Sequence, residues 1–274
     1  MNHNETADQP TAYLEGIAMI TKGNPFSLEQ YQKEGYSGPM QGLTLQEADF
    51  YYQRFFDVLE QSKYEPGPTR MNLSAWHQRH HWAYQLATHA SIVGAMKQIL
   101  GDDIVLWAMH FWYKEPNNNK FIPWHQDINY WPMEPAINAT AWVSLGWSIR
   151  ENGCLRVIPG THKSIVEHVS TGTDASAFEQ GLPEEAIDES KAVDLEMSPG
   201  QIAFFNEATF HGSETNRSNI PRVAFSVRYT TPEVKFKMDE WGGDTTRIRT
   251  YLVSGEDKFK LNEGIQGIVP VPES

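Results

Sequence analysis

The chain has 274 residues and a formal net charge of −13, from 35 acidic against 22 basic side chains. That balance argues against nucleic acid and anionic membranes as partners, because both reward positive patches. A single cysteine, Cys154, rules out an intrachain disulfide, and no apolar run is long enough to span a bilayer. With no apolar segment in the polar stretch Met1–Pro10 to act as a secretory leader, the expected setting is the reducing cytoplasm.

Residues 1–10 read as a disordered tail and 11–274 as a single domain. Leu45, Phe50, Phe55, Phe56, Val58 and Leu59 recur at spacings of three to five and predict a helix over 44–62, with Thr44 at its start. Pro66, Gly67 and Pro68 mark residues 64–70 as a loop. A second helix is predicted from about Tyr84 to Ile99, ending before Gly101. Strands follow over Ile104–Tyr113, Ala139–Ile149, Leu155–Ile158, Ala192–Met197, Ile202–Phe205 and Arg222–Tyr229. Short strands separated by Pro/Gly turns predict a sandwich or jelly roll. Cys154 reads as a small buried hydrophobe beside a strand. Segment 165–191 is polar and lacks strand alternation, so it is expected to be an insertion, either surface decoration or a lid.

The chemistry is concentrated in Trp124-His125-Gln126-Asp127 and, far downstream, in Phe210-His211-Gly212-Ser213. In a strand, residues i and i+2 share a face, so His125 and Asp127 can reach one metal ion while Gln126 turns away or lies along the rim. Two histidines and one carboxylate on one side of a metal leave positions open for a co-substrate and O₂, which suits non-haem Fe(II). Taken alone, His-x-Asp is a weak pattern. Gly212 permits close backbone approach, and Ser213 with Arg222, eleven positions after His211, offers a hydroxyl and a guanidinium to a distal carboxylate. Of the other histidines, His162 reads as a turn cap, and His110 as a core or site-wall residue. His77, His80 and His81 read as solvated, or as the rim of a substrate entrance.

These pieces, in order, resemble the phytanoyl-CoA dioxygenase family of Fe(II)/2-oxoglutarate-dependent oxygenases. The match runs through Lys114-Glu115-Pro116, Trp124-His125-Gln126-Asp127, Thr140-Ala141-Trp142, Asn152-Gly153-Cys154-Leu155, Pro159-Gly160-Thr161-His162 and His211-Gly212-Ser213, followed by Asn216, Ser218 and Arg222. It departs at Gln201, where relatives often carry an acid. The resemblance implies a mainly β fold with flanking helices, a double-stranded β-helix of the cupin-like jelly-roll type. It implies iron on His125, Asp127 and His211, and 2-oxoglutarate with its far carboxylate on Arg222 and Ser213. Trp142 and Gln126 are implied to lie near the co-substrate. With O₂, such an enzyme hydroxylates an unactivated C–H bond and converts 2-oxoglutarate to succinate. The presence of Asp127 argues against halogenation.

The substrate is less legible. Trp107, Trp112, Tyr130, Trp131 and residues 72–81 are candidate pocket residues, and the aromatics suit a cation–π site. Arg79, His80 and His81 could meet a carboxylate or phosphonate. Together they suggest a small zwitterion such as an amino acid, betaine or aminophosphonate. Desaturation, epimerisation or demethylation by the same iron chemistry, an acyl-CoA or secondary-metabolite substrate, and a non-catalytic cupin-type binding module are the alternatives.

Overall fold

The computed structural model describes residues 25–61, 72–240 and 249–262; the expectations for residues 1–10 and 64–70 lie outside them. In chain order these residues form α1 (Leu28–Glu34), β1 (Tyr36–Gln41), α2 (Leu45–Gln61), β2 (Asn72–Ser74), α3 (His81–Ala87), α4 (Ala90–Leu100), β3 (Ile104–Lys114), β4 (Ile122–His125), β5 (Met133–Glu134), β6 (Ala139–Ser144), β7 (Leu155–Ile158), β8 (Val169–Ser170), β9 (Gln180–Gly181), β10 (Val193–Leu195), β11 (Gln201–Asn206), β12 (Phe210–Ser213), β13 (Arg222–Thr230), β14 (Lys235–Phe236) and β15 (Tyr251–Ser254). Short 3₁₀ turns join several of them.

Two antiparallel sheets face each other. The larger runs β1-β11-β6-β13-β3-β15, with β2 also on β3; the smaller runs β10-β7-β12-β4. From β3 to β13 the core strands alternate between the sheets, except that β7 and β10 are neighbours in the smaller one, and the fold is the double-stranded β-helix.

Alternation along the larger sheet sorts its side chains into two environments. Val223, Phe225, Val227 and Tyr229 of β13, Ala139, Ala141 and Val143 of β6, and Ile202 and Phe204 of β11 face the helices, where they join Phe55, Trp76, Trp82, Leu86 and Ile92 in the largest apolar cluster. The opposite face holds Trp112, Trp142, Ala203, Phe205 and Ala224 against Ile122, Leu155, Val157 and Leu195 of the smaller sheet. The same inward parity assigns Arg222, Ser226 and Arg228 of β13 to the space between the sheets. Most of the apolar core therefore lies under the helices, and polar side chains can occupy the sheet interior.

The helix expected over 44–62 spans Leu45–Gln61. Thr44 starts it as a capping box: Glu47 N donates to Thr44 Oγ1 (3.1 Å) and Thr44 N donates to Glu47 Oε2 (2.8 Å). The single helix expected over 84–99 is instead two, α3 and α4. Ser91 N donates to His89 Nδ1 (3.3 Å) and Ala87 O accepts from Tyr229 Oη, so side chains satisfy the two groups that a continuous helix would pair with each other. The strand expected over 139–149 ends at Ser144, after which Leu145 N turns onto Val223 O. The strand expected over 192–197 is the three-residue β10. Edge strand β1, which carries Pro39, was not visible as a strand pattern. Cys154 is buried and free, as expected.

His77 is fully buried, not solvated, and neither ring nitrogen has a hydrogen-bond partner. Its ring lies against Tyr251 (centroids 5.6 Å apart). Burial, with Arg79 adding to it, pulls its pKa down to about 3. In the unfolded chain the value returns to about 6.5, so below that pH the unfolded state takes up a proton that the folded state refuses. Stability is therefore lost as pH falls from 6.5 toward 3, at up to about 1.4 kcal/mol per pH unit. His77→Phe should lose about 2 kcal/mol less than the wild type between pH 6.5 and 5.0, measured by urea unfolding. Equal losses in the two proteins would contradict this.

Candidate metal centre

His125 and His211 are far apart in sequence but directly opposite in register, on the neighbouring strands β4 and β12. Gly212 makes this pairing close, since a Cβ there would sit 3.0 Å from Ile122 O and 3.2 Å from Pro123 O. The close approach anticipated for Gly212 is thus to a strand. Asp127 lies beyond the end of β4, as the first residue of a 3₁₀ turn (Asp127–Tyr130), not within a strand. Gln126 remains extended, so the alternation carries one step past the strand and Asp127 still faces inward. The turn is anchored where Ile128 N donates to Glu207 O (3.1 Å).

Ligand atoms of His125, Asp127 and His211 all lie within 4.8 Å of one another, and all three residues are buried. Asp127 Oδ1 is 3.6 Å from His125 Nε2 and 3.8 Å from His211 Nε2. Each imidazole uses its Nδ1–H on a backbone carbonyl, Pro123 O for His125 (2.8 Å) and Thr209 O for His211 (2.9 Å). That leaves the Nε2 lone pairs facing the cluster, the tautomer that a metal requires. Burial, then neighbouring His125, pulls the His211 pKa down to about 3 and keeps it neutral. Burial opposes ionisation of Asp127, but its neighbours, the Arg228 guanidinium first, outweigh it and hold the carboxyl below its usual range. The set is two imidazole nitrogens with inward lone pairs and one carboxylate, which fits Fe(II).

Arg222 begins β13 and is completely buried, and Nε, Nη1 and Nη2 all lack a hydrogen-bond partner. Its guanidinium carbon is 5.4 Å from the ring centre of Trp142, whose Nε1 is also buried without a partner. Burial lowers the Arg222 pKa to about 10. Opposite it in register is Lys114, also completely buried. Lys114 Nζ donates to Ser213 Oγ (2.7 Å) and to the carbonyl of Glu214. Since Ser213 Oγ accepts there, its own proton is free for another acceptor. A Cβ on Gly153 would come within 2.9 Å of that Nζ, so glycine, at φ +76°, leaves room for it. Sequence reasoning quoted Lys114 in a motif but gave it no role. A buried guanidinium with no acceptor, beside a lysine and a serine hydroxyl, matches a carboxylate ligand. The cavity lined by Trp142, His125, His211, Ser213 and Arg228 holds only about 20 Å³. A five-carbon dicarboxylate therefore enters only if side chains part.

The Gln126 side chain is held by backbone groups of three other residues. Its Nε2 donates to Ser164 O (2.8 Å) and Ala208 O (2.6 Å), and its Oε1 accepts from Val166 N (2.8 Å). Both amide hydrogens are occupied, and the side chain braces β4 against segment 165–191. That segment is tied along the β4 edge: Leu182 N donates to Trp124 O (2.7 Å) and Tyr130 Oη to Gln180 O (3.0 Å).

A second cavity, of about 710 Å³, opens beside Asp127 and is lined by His110, Trp112, Tyr130, Trp131, Phe178 and Arg228, among others. Trp112, Tyr130 and Trp131 thus sit where the sequence suggested. Trp107 does not: it is the extra residue of a bulge in β3 and packs behind Trp131 and on Phe236. Arg79, His80 and His81 do not line this cavity, whose cation is Arg228. Phe178 and Arg228 were not singled out in the sequence. For Arg228 a signal existed, since it shares the inward parity of Arg222.

A double-stranded β-helix carrying a buried His-Asp-His cluster and an orphaned arginine defines the class of non-haem Fe(II)/2-oxoglutarate oxygenases. The chain belongs to the phytanoyl-CoA dioxygenase family, whose model matches residues 31–224. It is an Fe(II)/2-oxoglutarate-dependent dioxygenase, with iron as cofactor and 2-oxoglutarate as co-substrate. A probable phytanoyl-CoA dioxygenase of Caenorhabditis elegans is 27% identical over 252 residues, covering 80% of each chain. The peroxisomal phytanoyl-CoA dioxygenase of Homo sapiens is 27% identical over 213 residues, 74% of this chain and 61% of that protein. Among solved structures, EctD from S. alaskensis with 2-oxoglutarate and 5-hydroxyectoine superposes with a TM-score of 0.65 at 19% identity, over 78% of this chain and 79% of that one.

Proposed function

We propose that the chain hydroxylates an unactivated C–H bond of a small molecule held in the cavity beside Asp127, with conversion of 2-oxoglutarate to succinate. In this reading His125, Asp127 and His211 are the iron ligands. Arg222 and Ser213 hold the distal carboxylate of 2-oxoglutarate, Lys114 orients the Ser213 hydroxyl toward it, and Trp142 forms the adjoining wall. Iron and 2-oxoglutarate together supply the oxidising power drawn from O₂, and the protein orients substrate and excludes water. The observation that carries the reading is Arg222, a fully buried cation without an acceptor close to a ligand-ready His-Asp-His cluster.

The cavity volume is that of a site for a small organic molecule. Arg228 already covers one ring of Trp131 (4.5 Å), so a cationic group of the substrate is left to Trp112, Tyr130 and Phe178. This supports a zwitterion such as an amino acid, betaine or aminophosphonate, as does the likeness of fold to a protein solved with 5-hydroxyectoine. The names of the phytanoyl-CoA relatives favour a second reading, an acyl-CoA. Among the described residues no helix is long and apolar enough to cross a membrane. The cytoplasm is the proposed setting, because a ferrous site and a free thiol both suit a reducing compartment. We place residues 11–274 in one catalytic domain, with 165–191 as the cover of the substrate cavity. The test is succinate release by the iron-loaded enzyme across zwitterions and acyl-CoAs. Stimulation by a zwitterion, with its hydroxylated form as product, is expected. Stimulation by acyl-CoAs alone would establish the second reading, and stimulation by neither would remove both.

The role of segment 165–191 is tested at Phe178, whose ring lies edge-on to His125 (4.9 Å between centroids) and near Tyr130 (5.8 Å). Phe178→Ala should raise the substrate KM about 10- to 100-fold, the worth of one buried phenyl contact. The KM for 2-oxoglutarate should change less than about threefold. Equal effects on both would mean that Phe178 only supports the fold.

A further inference from the structure

We infer that Arg228 is the positioning residue of the metal carboxylate: it takes one oxygen of Asp127 and thereby presents the other to the metal. This rests on the reading of His125, Asp127 and His211 as iron ligands. The two oxygens of Asp127 have different partners. Oδ1 faces the two imidazole nitrogens at 3.6 and 3.8 Å, while Oδ2 accepts from Arg228 Nη2 at 3.2 Å. A carboxylate held through one oxygen offers a metal a single donor, and a second donor from Asp127 would occupy a position that a co-substrate or O₂ needs.

Arg228 is itself held on several sides. Nη1 donates to His110 Nδ1 (2.6 Å) and to Ser226 Oγ (3.3 Å), and Ser226 Oγ also accepts from Trp112 Nε1 (2.9 Å). Trp131 stacks on the guanidinium at 4.5 Å. The backbone belongs to β13, which is paired on both edges, with Ala108 and Thr140 opposite Arg228. The residue lines both the small cavity that contains His125 and His211 and the larger one beside Asp127, so it forms part of the wall between them. A flat, multiply bonded fork in that position fixes the carboxylate plane in a way that a flexible ammonium cannot. Its charge has a competing effect, since a cation close to a bound dication repels it. Positioning and repulsion thus predict opposite signs when Arg228 is removed.

The experiment is calorimetric titration with Ni(II), without 2-oxoglutarate, of the wild type, Arg228→Met and Arg228→Lys, together with the visible spectra of their Co(II) forms and thermal melts of the metal-free proteins. If positioning dominates, Arg228→Met binds Ni(II) about 10- to 100-fold more weakly, the usual cost of losing a group that orients a ligand. Its Co(II) bands shift as the coordination changes, and Arg228→Lys falls between. Should Arg228→Met fail to fold, Arg228→Gln, which keeps a neutral donor for Oδ2, is read in the same way. Equal or tighter Ni(II) binding by a folded variant, with unchanged Co(II) bands, overturns the inference while leaving the metal site standing. Absence of Ni(II) and Co(II) binding by the wild type overturns both.

Discussion

Arg222→Met is expected to make the metal-free, ligand-free protein more stable while nearly abolishing its affinity for 2-oxoglutarate. Arg222 is completely buried and none of its three guanidinium nitrogens meets an acceptor. Removing a charge from water without a compensating partner is costly, and even replacing paired buried ions by apolar groups of similar volume is often neutral or stabilising by about 1–4 kcal/mol. The Trp142 ring, 5.4 Å away, offsets part of that cost, so the gain should lie near the lower end and appear as a few degrees in Tm. The loss on the ligand side is larger. Deleting one member of a buried, hydrogen-bonded charge pair costs about 2–5 kcal/mol, or tens to thousands in dissociation constant. In a melting experiment the order should therefore reverse: the variant melts higher alone, and the wild type gains more from Fe(II) and 2-oxoglutarate. A variant that melts lower alone and still binds 2-oxoglutarate like the wild type would contradict this role for Arg222.

Asp127→Ala is expected to act in the opposite sense on stability and more severely on chemistry. The change removes the carboxylate of the metal cluster and leaves the Arg228 guanidinium, buried and 3.2 Å from Asp127 Oδ2, without its acidic partner. Breaking a buried ion pair from one side costs about 3–5 kcal/mol, a large part of the net stability of a typical protein. Metal affinity should fall by two orders of magnitude or more, about 3 kcal/mol, and turnover with it. Asp127→Asn keeps an oxygen for Arg228 and should recover much of the stability but little of the metal affinity. The two asparagine outcomes are read separately, by urea unfolding and by Ni(II) titration. Recovery of both together would mean that the negative charge of Asp127 is not needed at the metal.

These contrasts follow from the fold, and parts of them were visible in the sequence. Arg222 and Trp142 lie on apolar strands whose alternation can be read directly, so their inward parity was available. His125 and Asp127 needed only an extended Gln126 between them. What one-dimensional spacing cannot supply is the register that sets His211 opposite His125, because it depends on the pairing of β12 with β4. Lys114 carried no sign of burial, since a lysine at a strand end is ordinarily solvated; its burial depends on the space beside Gly153 and on the carbonyls of Ser213 and Glu214. His77 is the same case, and the backbone partners of Gln126 were no more visible. The chain segments that occupy Gln126, around Ser164, Val166 and Ala208, are distant in sequence, as is Tyr251, against which His77 is buried.

The measurement that bears most directly on the account is anaerobic titration of the metal-free protein with Fe(II) and 2-oxoglutarate, followed by the weak visible charge-transfer band of the chelated co-substrate. The band should appear in the wild type at one equivalent of iron, and should be lost in Asp127→Ala and shifted to much higher 2-oxoglutarate concentration in Arg222→Met. A wild-type protein that binds iron and 2-oxoglutarate without developing the band, or variants that develop it unchanged, would contradict the assignment of this site.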